Sequence, residues 1–266
     1  MSRTISIAAP YFIRFLQQKY WSILITGKRK SGKSALMYHL AELWHKANPR
    51  KKVYIVNFPS EARSLLPRWI ERISRREIDS VEDSLICFEE SALVAFSRNW
   101  YSSYNKLLSQ LLAIAYHKKQ RHIFVVQNMR LLDSNVIALI DLLMVKEYNY
   151  VNYRIEREEL REIIGTAHIM LQNIPIFERV KYAVVFGLYD LPPFLYKYPL
   201  PSFWKEEIST IWRYYSFKRM QERTTSQSLT EQIEELIRLK KVKNWKELRK
   251  YFPDRSDHTL KTLYYR

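Results

Sequence analysis

Residues 27–34 read Gly-Lys-Arg-Lys-Ser-Gly-Lys-Ser, set between the apolar run Ser22-Ile23-Leu24-Ile25-Thr26 and a segment with Leu36, Met37, Leu40 and Leu43 on one helical face. No other stretch limits the fold as strongly. The chain has only four glycines in 266 residues, and two of them, Gly27 and Gly32, stand in this one loop. The expected order is a buried strand, a loop over 27–32 and a helix over 33–45. A second apolar run, Lys52-Val53-Tyr54-Ile55-Val56, follows and is closed by Asn57-Phe58-Pro59. Strand, helix and strand in this order imply a parallel sheet, because parallel neighbours need a crossover.

The loop fits G-x-x-x-x-G-K-[ST], the phosphate-binding P-loop, and each residue type has a physical reason. Glycine lets the backbone approach an anion with no Cβ in the way, so that successive N–H groups turn inward around it. Gly27, Lys28, Arg29, Lys30, Ser31, Gly32, Lys33 and Ser34 would thus hold the phosphates of a nucleotide such as ATP. Lys33 would reach the β- and γ-phosphates as a point charge, and the Ser34 hydroxyl would ligate Mg²⁺ at the helix N-terminus.

Hydrolysis needs acids on a neighbouring strand. The run Leu85-Ile86-Cys87-Phe88 ends in Glu89-Glu90, which would put Glu89 near the metal and Glu90 where it can polarise an attacking water. A third run, His122-Ile123-Phe124-Val125-Val126, ends in Gln127-Asn128, and an amide there can hold the water or sense the γ-phosphate. Tyr182-Ala183-Val184-Val185-Phe186 reads as a further strand. Leu142 to Val145 fits either a strand or the end of a helix, with strand preferred. Residues 157–175 carry a helical pattern interrupted by Gly165. Pro192, Pro193, Pro199 and Pro201 argue for an irregular strap after Asp190, followed by a helix from Phe203 to Met220.

The chain carries 44 Lys+Arg against 27 Asp+Glu, a formal net charge of +17, which calls for a polyanionic partner such as nucleic acid. A single cysteine, Cys87, excludes an intrachain disulfide and a cysteine-rich zinc cluster. No signal sequence and no membrane-spanning run is read, so a soluble, cytoplasmic protein with no membrane partner is expected. Polar residues 222–228 read as a linker between a domain over 1–221 and a small helical domain over 229–266. In that second domain Ile233, Leu236, Ile237 and Leu239 fall at helical spacing, and Asn244 caps a second helix. Ser256 caps a third, Asp257 to Arg266, with Leu260, Leu263 and Tyr264 inward and His258, Lys261, Thr262 and Tyr265 outward.

In order, GKRKSGKS, LICFEE and IFVVQN resemble the FtsK/HerA superfamily of P-loop DNA-pumping ATPases, nearest in type to the Zot-like and packaging ATPases of viruses and plasmids, such as those of archaeal mobile elements. The resemblance covers about Ser22 to Tyr150. It implies a RecA-like α/β core, ATP hydrolysis with Mg²⁺, a homo-oligomeric ring, often a hexamer, and movement of double-stranded DNA. Such a ring needs an arginine supplied across the subunit boundary, and Arg98, Arg121 and Arg130 are the candidates, with Arg98 and Arg130 preferred. The stretch WKELRKYFPDRSDHTLKTLYYR resembles the Myb/SANT helix-turn-helix domains. That likeness implies that its last helix enters the major groove, with Arg255 and Lys261 on phosphates or base edges and Lys240, Lys241 and Lys243 gripping the backbone. Two functions fit these features: an ATP-driven DNA translocase, packaging or remodelling enzyme, and an ATP-gated replication initiator or regulator with slow turnover.

Overall fold

The computed structural model describes residues 10–56, 58–89, 98–210, 233, 237, 242, 244–252 and 256–265; at 61, 75, 76, 98–107 and 131 it describes the backbone alone. Two compact units divide the chain, Met1–Trp212 and Arg213–Arg266. The larger holds an eight-stranded sheet in the order β3-β2-β4-β5-β1-β6-β7-β8. The strands are β1 (Trp21–Thr26), β2 (Val53–Val56), β3 (Ile70–Ile73), β4 (Leu85–Phe88), β5 (Arg121–Val126), β6 (Leu142–Val145), β7 (Tyr182–Phe186) and β8 (Phe194–Lys197). From β3 to β6 every pairing is parallel, and β7 and β8 add on antiparallel. The expected mainly parallel α/β sheet is therefore present.

Side-chain alternation along the strands makes two cores. Ile23 and Ile25 of β1, Leu85 and Cys87 of β4, and Ile123 and Val125 of β5 face one layer with Phe12 and Phe15 of α1 (10–16) and Leu36, Met37, Leu40 and Trp44 of α2 (Lys33–Ala47). Leu24, Ile86, Phe88, Phe124 and Val126 face the other, against α3 (Arg98–Lys118), α4 (Ser134–Ala138) and α6 (Glu158–Gln172). Between the last two lies a short helix, α5 (Tyr150–Ile155), with no buried residue. Helices cover both faces of these central strands, so β1 and β5 are buried at all six positions, the polar Ser22, Thr26, Arg121 and His122 included.

Four details differ from the sequence expectations. Leu43 is 37% exposed, and Trp44 takes the buried position at that end of α2. Strand β3 has only Ile70 and Ile73 as apolar residues, too weak a pattern to register. The proline-rich strap contains β8, since Phe194 to Lys197 lie between the proline pairs and pair freely with β7. The helix expected from Phe203 begins only at Glu206, as α7 (Glu206–Ser209), and the remainder falls outside the described residues.

In the smaller unit, Ile233, Val242, Leu248 and Leu260 form a buried cluster. Asn244 caps the turn Trp245–Lys250, accepting from the N–H groups of Lys246 and Glu247, but this turn is a 3-10 helix. Ser256 caps α8 (Asp257–Tyr264) by accepting from the Thr259 N–H. Arg249 and Asp257 pair at 2.9 Å. Lys240, Lys241, Lys243, Arg255 and the linker 222–228 lie outside the described residues.

The buried strand β5 carries a pH liability. His122 is fully buried beside the stacked rings of Phe88 and Phe124, and burial lowers its imidazole to about 3. Its Nε2 lies 3.2 Å from Gln120 Oε1, and its Nδ1 has no partner among the described residues. Because the folded value lies below the ordinary 6.5, the unfolded chain binds the extra proton between those values. Stability should then fall with pH through that window, by on the order of 3 kcal/mol from pH 7 to pH 4. Burial also lowers His39, to about 4, against the opposing charge of Glu42, and adds in the same sense. Denaturant titration at both pH values checks this, and a His122→Asn variant should lose much of the difference.

Candidate functional site

The site sits at the carboxyl end of β1, flanked in the sheet by β5 and β6, where loops from both sides converge. Gly27 has φ +145° and Gly32 has φ +89°, both in the region that residues with side chains rarely adopt. Space excludes them as well. A Cβ on Gly27 would lie 2.6 Å from Lys146 Cβ, and one on Gly32 would lie 2.7 Å from the Val180 carbonyl and 2.9 Å from the Tyr198 hydroxyl. Lys30 also has positive φ, at 60°, so three of the six residues in the loop curl its backbone.

The loop has the form a phosphate requires. Lys33 Nζ donates to the carbonyls of Gly27 and Lys28, at 2.8 Å each, which folds its charge over the mouth of the loop. Among the described residues no side chain caps α2, so Gly32 leaves that helix N-terminus to an anion. Ser31 is 3% exposed, and its hydroxyl has no hydrogen-bond partner among the described residues. An orphaned buried donor beside a glycine-lined curl and an uncapped N-terminus fits a nucleotide phosphate.

Glu89 follows β4 directly and is 3% exposed. Its charge reaches α2: the Tyr38 phenol, four residues beyond Ser34, is raised first by burial and next by Glu89. The same order of causes raises the Cys87 thiol, which makes it an inert core residue. Strand β5 runs between β4 and β1 and ends at Val126, so the half-buried Gln127 stands between Glu89 and the loop in sheet order. Glu90 falls outside the described residues, and Arg98 is described by its backbone alone, at the start of α3. Arg130 is exposed and donates to the Ile155 carbonyl at 3.4 Å.

Residues beyond β5 are tied down by Glu156, 2% exposed, which accepts from the Met129 N–H at 3.1 Å. Burial raises its carboxyl, and the backbone N–H groups around it oppose the shift. Arg157 donates to the Arg130 carbonyl at 3.1 Å, and to that of Leu132. The loop that bears Gln127 is thereby held to the α5–α6 junction.

Sequence reasoning missed the group on the other side of the P-loop. Lys146, at the tip of β6, is 1% exposed, with Nζ donating to the Val180 carbonyl and the Tyr198 hydroxyl at 2.7 Å each, and to the Tyr182 carbonyl. The Tyr198 hydroxyl lies 2.9 Å from both the Gly32 and the Val180 carbonyl. Burial, and then the charge of Lys33, hold the Lys146 ammonium well below its usual range, with Glu147 opposing. Glu147 pairs with Lys28 at 2.7 Å and with Arg179 at 3.3 Å, and its carbonyl accepts from the Lys28 N–H. The one signal available was the Lys-Glu pair directly after an apolar strand; Tyr198 carried none.

In the smaller unit, His258, Lys261, Thr262 and Tyr265 are all exposed on or just after α8, while Leu260 is buried. The Thr262 hydroxyl is turned back to the His258 carbonyl at 2.8 Å. Among the described residues no cluster of His, Cys, Asp and Glu could hold a metal by itself, and no helix is long and apolar enough to cross a membrane.

No known family's sequence profile matches the chain, and no curated protein matches it. Solved structures do. One is the DNA-packaging ATPase B204 from Sulfolobus Turreted Icosahedral Virus, at 13% identity and TM-score 0.47, covering 68% of this chain and 98% of that one. Another is the genome packaging NTPase B204 from Sulfolobus turreted icosahedral virus 2 in complex with ATP-gammaS, at 14% identity and TM-score 0.47, over 70% of this chain and 100% of that one. The same NTPase in complex with AMPPCP gives 15% identity and TM-score 0.46, over 69% and 100%. At these identities no residue role transfers, and the site stands on this chain's own geometry.

Proposed function

We propose that the chain binds and hydrolyses ATP in the loop Gly27–Ser34 and couples turnover to double-stranded DNA, as a translocating, packaging or remodelling ATPase of a virus or plasmid. The observation that carries this reading is the P-loop itself, with Lys33 folded over its mouth, an uncapped helix behind it and the buried Glu89 on a neighbouring strand. The residues divide the work by position. Lys33 and the N–H groups of the loop hold and orient the triphosphate, and Ser34 and Glu89 are the side chains that would hold Mg²⁺. That ion, when bound, neutralises charge on the β- and γ-phosphates. Glu90 takes the proton of the attacking water, and Gln127 orients it. Arg98 or Arg130, from a neighbouring copy in a ring, offsets the charge that develops as the γ-phosphate leaves.

The exposed face of α8, with His258, Lys261, Thr262 and Tyr265, and the lysines Lys240, Lys241 and Lys243 with Arg255, form the DNA-contacting part of this reading. A net charge of +17 supports a polyanionic partner, and such binding should weaken steeply with salt. The test is ATP turnover with and without random-sequence duplex at low salt. A translocase should be stimulated several-fold by any duplex. Turnover that is indifferent to DNA would count against the coupling, while slow turnover with tight binding to one DNA sequence would favour the initiator.

A further inference from the structure

Residues 174–181 run from the end of α6 into β7, and Ile176, Phe177 and Val180 there are 61%, 89% and 42% exposed. A phenylalanine that open has no packing role in the core. Yet the segment around it is firmly fastened. Glu178 N–H donates to the Pro175 carbonyl at 2.8 Å, Lys181 N–H to the Glu178 carbonyl at 2.9 Å, and Arg179 Nε to the Ile174 carbonyl at 3.0 Å. It is also fastened to the phosphate loop. Arg179 reaches Lys28 through Glu147, and the Val180 carbonyl packs on Gly32 while accepting from Lys146.

Direction follows from sheet order. Glu89 follows β4, two strands from β1 on one side, and residues 174–181 lead into β7, two strands from β1 on the other. A triphosphate lying in the loop with its γ-phosphate toward the acid sends its nucleoside toward β6 and β7. Phe177 stands three residues from Val180, a reach of at most about 10 Å of chain, within the span of a ribose and base.

We infer that Phe177, flanked by Ile176 and Val180, is the platform on which the base of the bound nucleotide stacks. The inference rests on the nucleotide site proposed above and gives it a base-binding end. An aromatic face recognises the flat area of a ring and not its exocyclic groups, so it favours a purine over a pyrimidine. The pre-fastened backbone means that ordering the platform costs little on binding.

The test is calorimetric binding of ATP and of inorganic tripolyphosphate, each with Mg²⁺, to the full chain and to Phe177→Ala and Phe177→Trp variants. Loss of so exposed a ring should leave the melting temperature unchanged, which is checked first. Phe177→Ala should weaken ATP about tenfold and leave tripolyphosphate unaltered, and Phe177→Trp should restore ATP binding. Equal ATP affinity in the wild type and Phe177→Ala overturns the platform and leaves the nucleotide site standing. So does an equal loss for both ligands, or no recovery with Trp, since each would place the effect in the loop and not in stacking. A wild type that binds neither ligand removes the nucleotide site itself, and the platform with it.

Discussion

Lys33→Ala is expected to lower ATP turnover by two to three orders of magnitude while the protein stays folded. The ammonium is folded over the mouth of the loop, held 2.8 Å from two loop carbonyls. Once a triphosphate occupies the curl, that charge is in place to meet phosphate oxygens whose negative charge grows as the terminal bond breaks. Losing one such preorganised donor typically costs about 10²–10³ in rate. Steady-state turnover with purified protein measures the first part, and a thermal melt measures the second. Turnover that survives the change would place hydrolysis elsewhere in the chain.

Gly32→Ala and Gly165→Ala should have effects of opposite sign, although the chemical change is the same. At Gly32 the new methyl would sit 2.7 Å from the Val180 carbonyl on a backbone with φ +89°. The clash is with backbone held by Lys146, so relief must come from the phosphate loop itself. A loss of about 1–3 kcal/mol is expected, together with a loss of ATP affinity well beyond tenfold, because the curl that holds the phosphates must open. Gly165 lies inside α6, where among the described residues a Cβ would meet only the Tyr153 hydroxyl, at 3.9 Å. Alanine there should stabilise by about 0.5–1 kcal/mol through helix propensity, with unchanged ATP binding. Denaturant melts of the two variants beside the wild type read the signs directly.

Much of the core was legible because its signals were local. A buried strand, two spaced glycines and an amphipathic helix are read within one short window, and they located β1, the loop and α2. Apolar runs located β4, β5 and β7 and favoured a strand at β6, and the polar residues that end two of them put Glu89 and Gln127 at strand tips. The parts that were missed depend on distant partners. Strand β3 is half polar because an edge strand has solvent on one side, and Lys52 pairs with its Glu71 across the ladder. Strand β8 was hidden by prolines that bracket it without entering it. Lys146 and Tyr198 lie 52 positions apart and meet only through the antiparallel pairing of β6, β7 and β8. In sequence, a lysine after a strand looks like any solvated charge. Only the fold shows it enclosed, with its three acceptors around it.

The same antiparallel extension determines how copies of this chain can come together. Both margins of the sheet are four-residue strands, and one of them is closed at each end by prolines that have no N–H to offer. Backbone zippering between molecules therefore has little to grip on either side, which guards the open sheet against edge-to-edge aggregation. Where copies do meet, side chains and loops must make the contact, and their many small interactions can form and break while the sheet stays intact.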